Sequence, residues 1–465
     1  MQPTETQSTP PDRGWRQLLG PAHLGPMVVL AGGVALYAVN IYLTASLLPS
    51  AVDEIGGERY FAWATTIFLV ASVVSAVLVS RLLAGVGSRG AYLSAIGLFT
   101  AGTLVCAAAP DMFVLLVGRA LQGLGGGLLS GLAYALIRSV LPAGLWARAS
   151  ALVSGMWGIG TFVGPAVGGL FAQFGAWRLA FVTLAVLAAA LGAVVPRYIP
   201  GDRPADTVVD AVPVRSMVLL STAALVVSVA SLSTRAGVAA VGVLAGLALL
   251  VVFVVCERRS STRVLPAVTF AAGNPLRWTY LTIALLAIAS TAETFVPLFG
   301  QRLGGLTPVA AGFLGAALAV GWTIGEISSA GAARPRVVRA VVVSGPAMVA
   351  LGFFVAALAQ REEASGPVIA TWVAALVLAG AGIGAAWPHL ATFVMGSVDD
   401  PGEGGKAAAA INTVQLVANA FGAALAGLLV NLGGGSAGSA QLLFGTFAAV
   451  AAVAAPTAWR SASLR

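Results

Sequence analysis

The sequence predicts an all-α polytopic membrane protein: two six-helix bundles with two extra linker helices, about fourteen transmembrane helices in all. Three observations carry this. The 465 residues are 58% hydrophobic and 9% charged, with mean hydropathy +0.94, which leaves too little polar surface to cover a water-soluble body. Apolar stretches of about 20 residues recur along the whole chain, each long enough at ~1.5 Å per residue to cross a hydrocarbon core of roughly 30 Å. Finally, two polar stretches interrupt this pattern near the middle, Pro196 to Ser216 with Asp202, Asp206 and Asp210, and Glu257 to Arg263. They flank a pair of apolar segments and leave an equal number of spans on either side.

Taken in chain order, residues 1–24 read as a short disordered tail, since no apolar run precedes a small-residue cleavage site there. Residues 25–196 form the first bundle, with spans near 25–49, 61–83, 90–108, 112–137, 151–174 and 178–196. Residues 197–263 are the linker, with spans near 216–232 and 237–256 joined by a tight turn. Residues 264–459 form the second bundle, with spans near 277–300, 307–330, 338–359, 367–395, 405–431 and 439–458, and 460–465 is a second tail. All are helices, because an open sheet edge in lipid leaves backbone groups unpaired.

Charge placement tests the count, since cytoplasmic loops collect Lys and Arg. With the N-terminus inside, the cytoplasmic segments take Arg81 and Arg89, Arg138 and Arg148, the Arg258, Arg259 and Arg263 group, Arg334, Arg336 and Arg339, Lys406 and both tails. The outer loops hold only Arg59, Arg178, Arg235, Arg302 and Arg361. One missing span would scramble this asymmetry, so both termini are expected on the cytoplasmic side of an inner or plasma membrane. The net charge of +8 is then a basic face against anionic lipid, and no nucleic-acid partner is needed to explain it. Cys106 and Cys256 fall on opposite faces and cannot pair.

The fourth span reads Leu115-Leu-Val-Gly-Arg119-Ala-Leu-Gln122-Gly123-Leu-Gly125-Gly126-Gly127, and the fifth contains Gly160-Thr-Phe-Val-Gly164-Pro165-Ala-Val-Gly168-Gly169, followed by Trp177 and Arg178. These resemble the fourth-helix signature and the fifth-helix antiporter signature of the major facilitator superfamily, in its fourteen-helix drug:proton antiporter branch. Glu257-Arg258-Arg259, Asn274, and Ile411-Asn412-Thr413 with Gly422 resemble the same branch. The resemblance covers nearly the whole chain and implies a secondary transporter that exports small molecules against a proton gradient. Two positions depart from the pattern. Ala84 stands where the basic loop after the second span usually has Asp, and Asn40 stands where the first span often has Asp.

Independently of the resemblance, a charge in the bilayer interior costs at least ~2.5 to 3.5 kcal/mol on insertion scales, so Arg119 should face the bundle interior and have a partner. Glu293 lies about seven residues, or roughly 10 Å, below the outer end of its span, at the same depth as Arg119 but in the opposite half. A lone carboxyl there is cheapest when it carries a proton, which makes Glu293 the candidate proton carrier with Arg119 as its counter-charge. The bland alternative is that Arg119 merely binds helix carbonyls and Gln122 inside its own bundle. Asn40 and Gln122, with Asn412, Gln415 and Asn419 along one face of the thirteenth span, are candidate cavity-lining groups or, more plainly, interhelical hydrogen bonders. Gly160, Gly164 and Gly168 repeat every four residues and, with Pro165 and Gly169, suggest a close, sliding seam between the bundles. Arg81, Arg89, Glu326 and Arg334 lie near the cytoplasmic face as candidate gating charges, and His389 beside Pro388 is a second titratable group in the same region.

An enzymatic role is not supported, because the two His and two Cys are scattered and the Gly-rich run at 123–127 sits in a span without a phosphate-binding Lys. No cofactor is implied. The expected partners are a small-molecule substrate, protons and the lipid bilayer, with the chain working as a monomer. The scarcity of charge favours a hydrophobic or amphiphilic cargo such as a drug, secondary metabolite or lipid. Uptake by symport or uniport, or a channel or scaffold role, are the alternatives.

Overall fold

The structure is a computed structural model that describes residues 12–142, 145–201, 213–233, 235–260, 263–271, 273–329, 331–332, 334–395, 397, 401–434 and 437–463. A short helix α1 (Asp12–Leu18) precedes the first bundle, made of α2 (Pro21–Ile55), α3 (Phe61–Ala76), α4 (Val79–Ala107), α5 (Met112–Val140), α6 (Trp146–Gln173) and α7 (Trp177–Tyr198). The linker hairpin is α8 (Val214–Ala230) and α9 (Ala236–Arg259). The second bundle follows with α10 (Leu276–Ser290), α11 (Val296–Arg302), α12 (Pro308–Ser329), α13 (Pro335–Ala359), α14 (Gly366–Met395), α15 (Pro401–Leu432) and α16 (Ala437–Ser463). Among the described residues, 13 helical segments are long and apolar enough to cross a membrane, and α8 is a shorter apolar helix of 17 residues. The ends of the helices alternate, so both termini lie at one face, here called the terminal face.

Two expectations are corrected. The tail is not wholly disordered: residues 12–18 are helical and Leu18 is fully buried against the first bundle, while residues 1–11 lie outside those described. The basic loop from Arg81 to Arg89 is helical on either side of a single break at Gly87, whose φ of 73° is a conformation open to glycine. Elsewhere local chemistry sets the ends. Gly56 and Gly57, with φ of 74° and 82°, terminate α2, and the Asp111 carboxylate caps α5 by accepting from the Val114 amide at 3.0 Å.

Inside the first bundle α2 packs on α5 and α6, and α4 on α5 and α7; inside the second, α12 and α13 pack on α14, and α16 on α10 and α13. Small residues let backbones approach closely, as where Gly380 and Gly384 lie against the α12 carbonyls of Leu318 and Trp322. The two bundles meet by a reciprocal exchange: the second helix of each half packs on the fifth helix of the other, α3 on α15 and α12 on α6. This is the contact pattern of a pseudo-two-fold axis along the membrane normal. The hairpin leans on one of these junctions, with α8 against α3 and α15, and Trp63 Nε1 donating to the Ser228 carbonyl at 2.9 Å. Only 17% of the apolar window of α9 is buried, as expected of a helix left facing lipid. Glu257, fully buried at the base of the hairpin, accepts from the Ser216 hydroxyl and from the Val264 and Leu265 amides, both at 2.9 Å, and so fixes the approach to the second bundle.

Candidate functional site

The bundles are pressed together at the face opposite the termini. A Cβ on Gly169 would lie 2.6 Å from Val309 Cα of the other bundle, and one on Gly427 would lie 2.1 Å from Ala62 Cβ, so neither junction has room for a side chain. Arg302 contacts Glu58 and stands 3.9 Å from Asp53, both across the seam. Asn431 Nδ2 donates to the carbonyls of Arg59 at 3.1 Å and Ser231 at 2.8 Å, tying together both bundles and the hairpin. Within the first bundle, Trp177 Nε1 and Arg178 Nη1 reach the Glu54 carboxylate at 2.7 and 2.5 Å, and Arg178 Nη2 holds the Ala109 carbonyl.

Beneath this closed face lies a cavity of about 100 Å³ at the seam. The first bundle contributes Tyr37, Ile41, Tyr42, Thr65, Phe68, Arg119, Trp157 and Pro165, and the second contributes Thr291, Glu293, Thr294, Gly312, Gly315, Gln415 and Asn419. Its walls are aromatic and ordered: Tyr37 stacks on Phe68 with centroids 5.4 Å apart and meets Trp157 edge-on at 5.7 Å.

Glu293 enters this cavity because its helix breaks there. The span expected as one helix over 277–300 is α10 and α11 separated by a 3₁₀ turn, Thr291–Phe295, with Pro297 in the first turn of α11. A proline at that point has no amide to donate back into the turn, which favours the break. Among the described residues Glu293 has no hydrogen-bond donor and no ion-pair partner, though Tyr42 lies within electrostatic reach.

Arg119 is 1% exposed and is held by its own bundle. Nε donates to the Ala64 carbonyl at 3.0 Å, Nη1 to Gln122 Oε1 at 2.7 Å and to Thr44 Oγ1 at 3.3 Å, and the guanidinium lies 4.2 Å above the Phe68 ring. Gln122 in turn donates to Thr103 at 2.9 Å. Nη2 has no acceptor among the described residues, and Arg119 lines the cavity that Glu293 lines from the other bundle. The two charges share one cavity without forming an ion pair.

Other sequence expectations divide. Gln415 and Asn419 line the cavity, and Asn419 Oδ1 has no partner among the described residues. Asn412 lies in α15, and its side chain is outside the described set. Asn40 and Gln122, expected to line the cavity, are instead fully buried in the first bundle. The glycine stripe is also corrected. Gly160, Gly164 and Gly168 pack against Ala38, Tyr42 and Leu43 of α2, within one bundle, because residues four apart share a helix face and that face points inward. Gly169 and Pro165 lie on the neighbouring face and do meet α12, at Val309 and Gly312. At the terminal face Arg89 donates to the Ile199 carbonyl at 3.0 Å, binding α4 to the end of α7 in the same bundle, and Arg81 is exposed. Glu326 is exposed and forms no ion pair with Arg334. His389 is buried, with Nε2 3.2 Å from the Ser329 carbonyl at the end of α12.

Sequence reasoning missed the aromatic lining, Tyr37, Tyr42, Phe68 and Trp157, and the Arg302 contacts. The first had a signal: Tyr37, Ile41 and Ala45 follow one another at four-residue spacing on one face of α2.

Two pseudo-symmetric six-helix bundles around a seam cavity lined by both halves define a secondary transporter of the alternating-access class. The chain belongs to the Major Facilitator Superfamily, whose profile it matches over residues 30–423. It is 51% identical over 457 residues, 97% of this chain and 96% of the relative, to a Mycobacterium tuberculosis protein named "probable multidrug-efflux transporter". A second protein of that organism, an uncharacterized MFS-type transporter, is 29% identical over 86% of this chain and 58% of its own length. Among solved structures, a D-xylose-proton symporter superposes with TM-score 0.66 at 14% identity over 95% of this chain and 99% of its own. A bacterial homologue of the lysosomal transporter Spinster, in an inward-facing, unoccupied conformation, gives TM-score 0.66 at 14% identity over 96% and 98%. Both share the fold.

Proposed function

We propose that this protein is a proton-coupled exporter of hydrophobic or amphiphilic small molecules, set in the inner (plasma) membrane with both termini cytoplasmic and working as a monomer. The observation that carries the coupling is the placement of Glu293: a carboxyl in a helix break, facing from one bundle, without a donor of its own, the cavity that Arg119 lines from the other. Protonated, it is neutral and tolerates a dry, closed cavity; deprotonated, it requires water or Arg119. Export follows if cargo and proton displace each other. Glu293 takes a proton when the cavity opens outward, cargo having left, and releases it when the cavity opens to the cytoplasm and cargo arrives.

The cargo class rests on the aromatic walls and on the relative's name. At about 100 Å³ the cavity is smaller than the roughly 300 to 1,000 Å³ that drug-sized ligands occupy, so loading needs the bundles to part at the terminal face. With cytoplasmic termini, parting at that face loads the cavity from the cytoplasm, the direction that export requires. The candidate gating charges, Arg81, Arg89, Glu326 and Arg334, all lie at that terminal face, where Arg89 is held by the Ile199 carbonyl.

The test compares proton-driven uptake into inverted vesicles with counterflow, which needs no net proton movement. Glu293→Gln should abolish pH-driven accumulation and retain counterflow. Full pH-driven accumulation by the variant would move the proton to another group, His389 being the next buried candidate, or remove protons from the cycle.

A further inference from the structure

Above the central cavity, on the closed face, is a second pocket of about 280 Å³, larger than the first. The 3₁₀ turn separates the two: Glu293 and Thr294 face the central cavity, whereas Phe295 faces the outer pocket. Three aromatic rings form one wall. Phe61 and Phe295 lie 5.1 Å apart across the seam, and Phe295 stacks with Phe299 at 6.3 Å. The rim is charged but not balanced. Glu58 is engaged by Arg302, which leaves Arg59 as the lining cation without an anion among the described residues; its guanidinium lies 4.9 Å from the Tyr60 ring.

We propose that this pocket is a regulatory binding site for a small aromatic carboxylate, whose occupant holds the transporter closed on this face. The rings receive the apolar body and Arg59 receives the carboxylate, a pairing that guanidinium geometry favours. Regulation follows from who builds the walls. Arg59 and Phe61 come from the first bundle, Ser231 and Leu232 from the linker hairpin, and Phe295 and Arg302 from the second bundle. Opening this face separates those parts and dismantles the site. A ligand that binds the closed form alone shifts the equilibrium toward it by the factor 1 + [L]/Kd, about elevenfold at ten times Kd. The site also gives the linker hairpin a task, since it supplies one wall and is pinned there through the Asn431 bond to Ser231.

The probe is 2-naphthoate, with 2-naphthol as the uncharged control, binding to purified full-length protein in detergent micelles, where both faces are exposed and no transport reading enters. Naphthoate should bind and raise the melting temperature, naphthol should bind at least tenfold more weakly, and Arg59→Gln should weaken naphthoate at least tenfold while Glu293→Gln leaves it unchanged. Arg59 is exposed and its carbonyl, not its guanidinium, bonds Asn431, so that variant keeps the fold. Undetectable binding at millimolar probe, equal binding by the Arg59→Gln variant, or equal binding of naphthol would overturn the proposal. Loss of binding in Glu293→Gln would overturn it too, by placing the probe in the central cavity. In vesicles, naphthoate should slow wild-type transport without competing with cargo, and Arg59→Gln should transport at the basal rate but need at least tenfold more naphthoate for the same slowing. Competition with cargo would place the probe in the transport path and sink the regulatory reading.

Discussion

Arg302, in the last turn of α11, crosses the seam to contact Glu58 and lies 3.9 Å from Asp53 at the end of α2. These carboxylates stay largely exposed, with side-chain accessibilities of 60% and 70%, so each contact is worth only about 0.2 to 1 kcal/mol. That is little for folding but enough to bias two conformations of similar free energy. Since 1.4 kcal/mol is tenfold and Arg302→Gln removes both contacts, opening of this face should become roughly 2 to 30 times more frequent. Ala45→Cys, on the cavity wall, reports it through its rate of labelling by an impermeant maleimide added outside intact cells, with Cys106 and Cys256 replaced. An unchanged rate would show that the contact is incidental to closure.

The two kinds of glycine in α6 should behave differently. A Cβ at Gly164 meets Tyr42 Cβ at 2.5 Å and the Leu43 nitrogen at 2.9 Å inside one bundle, so Gly164→Ala overpacks the α2–α6 contact, at a cost of about 1 to 3 kcal/mol. The three atoms nearest a Cβ at Gly169 all belong to the other bundle, in Val309 and the Pro308 carbonyl, so Gly169→Ala should leave each bundle intact and force the closed face apart. The expected result is a lower melting temperature for the first, and near-normal stability with raised outside labelling at Ala45→Cys for the second. The reverse pattern would return the stripe to the seam between bundles.

That contrast also shows what the sequence made legible. Span number, the linker hairpin and the two-bundle layout follow from hydropathy, which reports one dimension, the depth of each residue. The shared layer of Arg119 and Glu293 was found for that reason. Rotation about each helix axis is a different coordinate, and 58% hydrophobic composition erases it, because lipid-facing and core-facing sides are equally apolar. Asn40 and the Gly160 stripe were therefore placed at the right depth and on the wrong side. The break at Thr291–Phe295 escaped for a related reason, as only Pro297 marks it and prolines also lie inside α2, α6 and α13 without a comparable interruption.

Gln122 should matter for stability as well as for transport. Its Oε1 accepts from Arg119 Nη1 and its amide nitrogen donates to Thr103, whose own hydroxyl donates to the Phe99 carbonyl, so Gln122→Ala chiefly leaves the buried Arg119 short of an acceptor. Loss of one partner from a buried polar group costs about 1 to 3 kcal/mol, and more where the group is charged. Thermal unfolding in detergent should fall by several degrees, and Gln122→Glu, which restores an acceptor for Arg119, should recover most of it. A Gln122→Ala protein as stable as the wild type would mean that Arg119 finds other acceptors at no cost.

Asn40 presents the opposite case. It is fully buried, and neither its Oδ1 nor its Nδ2 has a partner among the described residues, while Thr44, one turn along α2, receives Arg119. Each unpaired buried group costs about 1 to 3 kcal/mol, so in this conformation the amide is a liability. Replacement of a buried polar group by an apolar one of similar shape is close to neutral or stabilising, and Asn40→Leu should raise the melting temperature. An unpaired group of this kind is retained where another conformation uses it. Arg119 is one candidate, because its bond to Thr44 is the long one at 3.3 Å and Asn40 lies one turn away on α2, so that a one-turn shift of α2 along α5, about 6 Å, would exchange Thr44 for Asn40. Asn40→Leu is thus expected to be more stable and at least fivefold slower in transport, with Asn40→Asp recovering transport in part by offering Arg119 an acceptor. A variant that is stabilised yet transports at the wild-type rate would confine the role of Asn40 to packing, and one that is destabilised would show that the amide is already paired in this state.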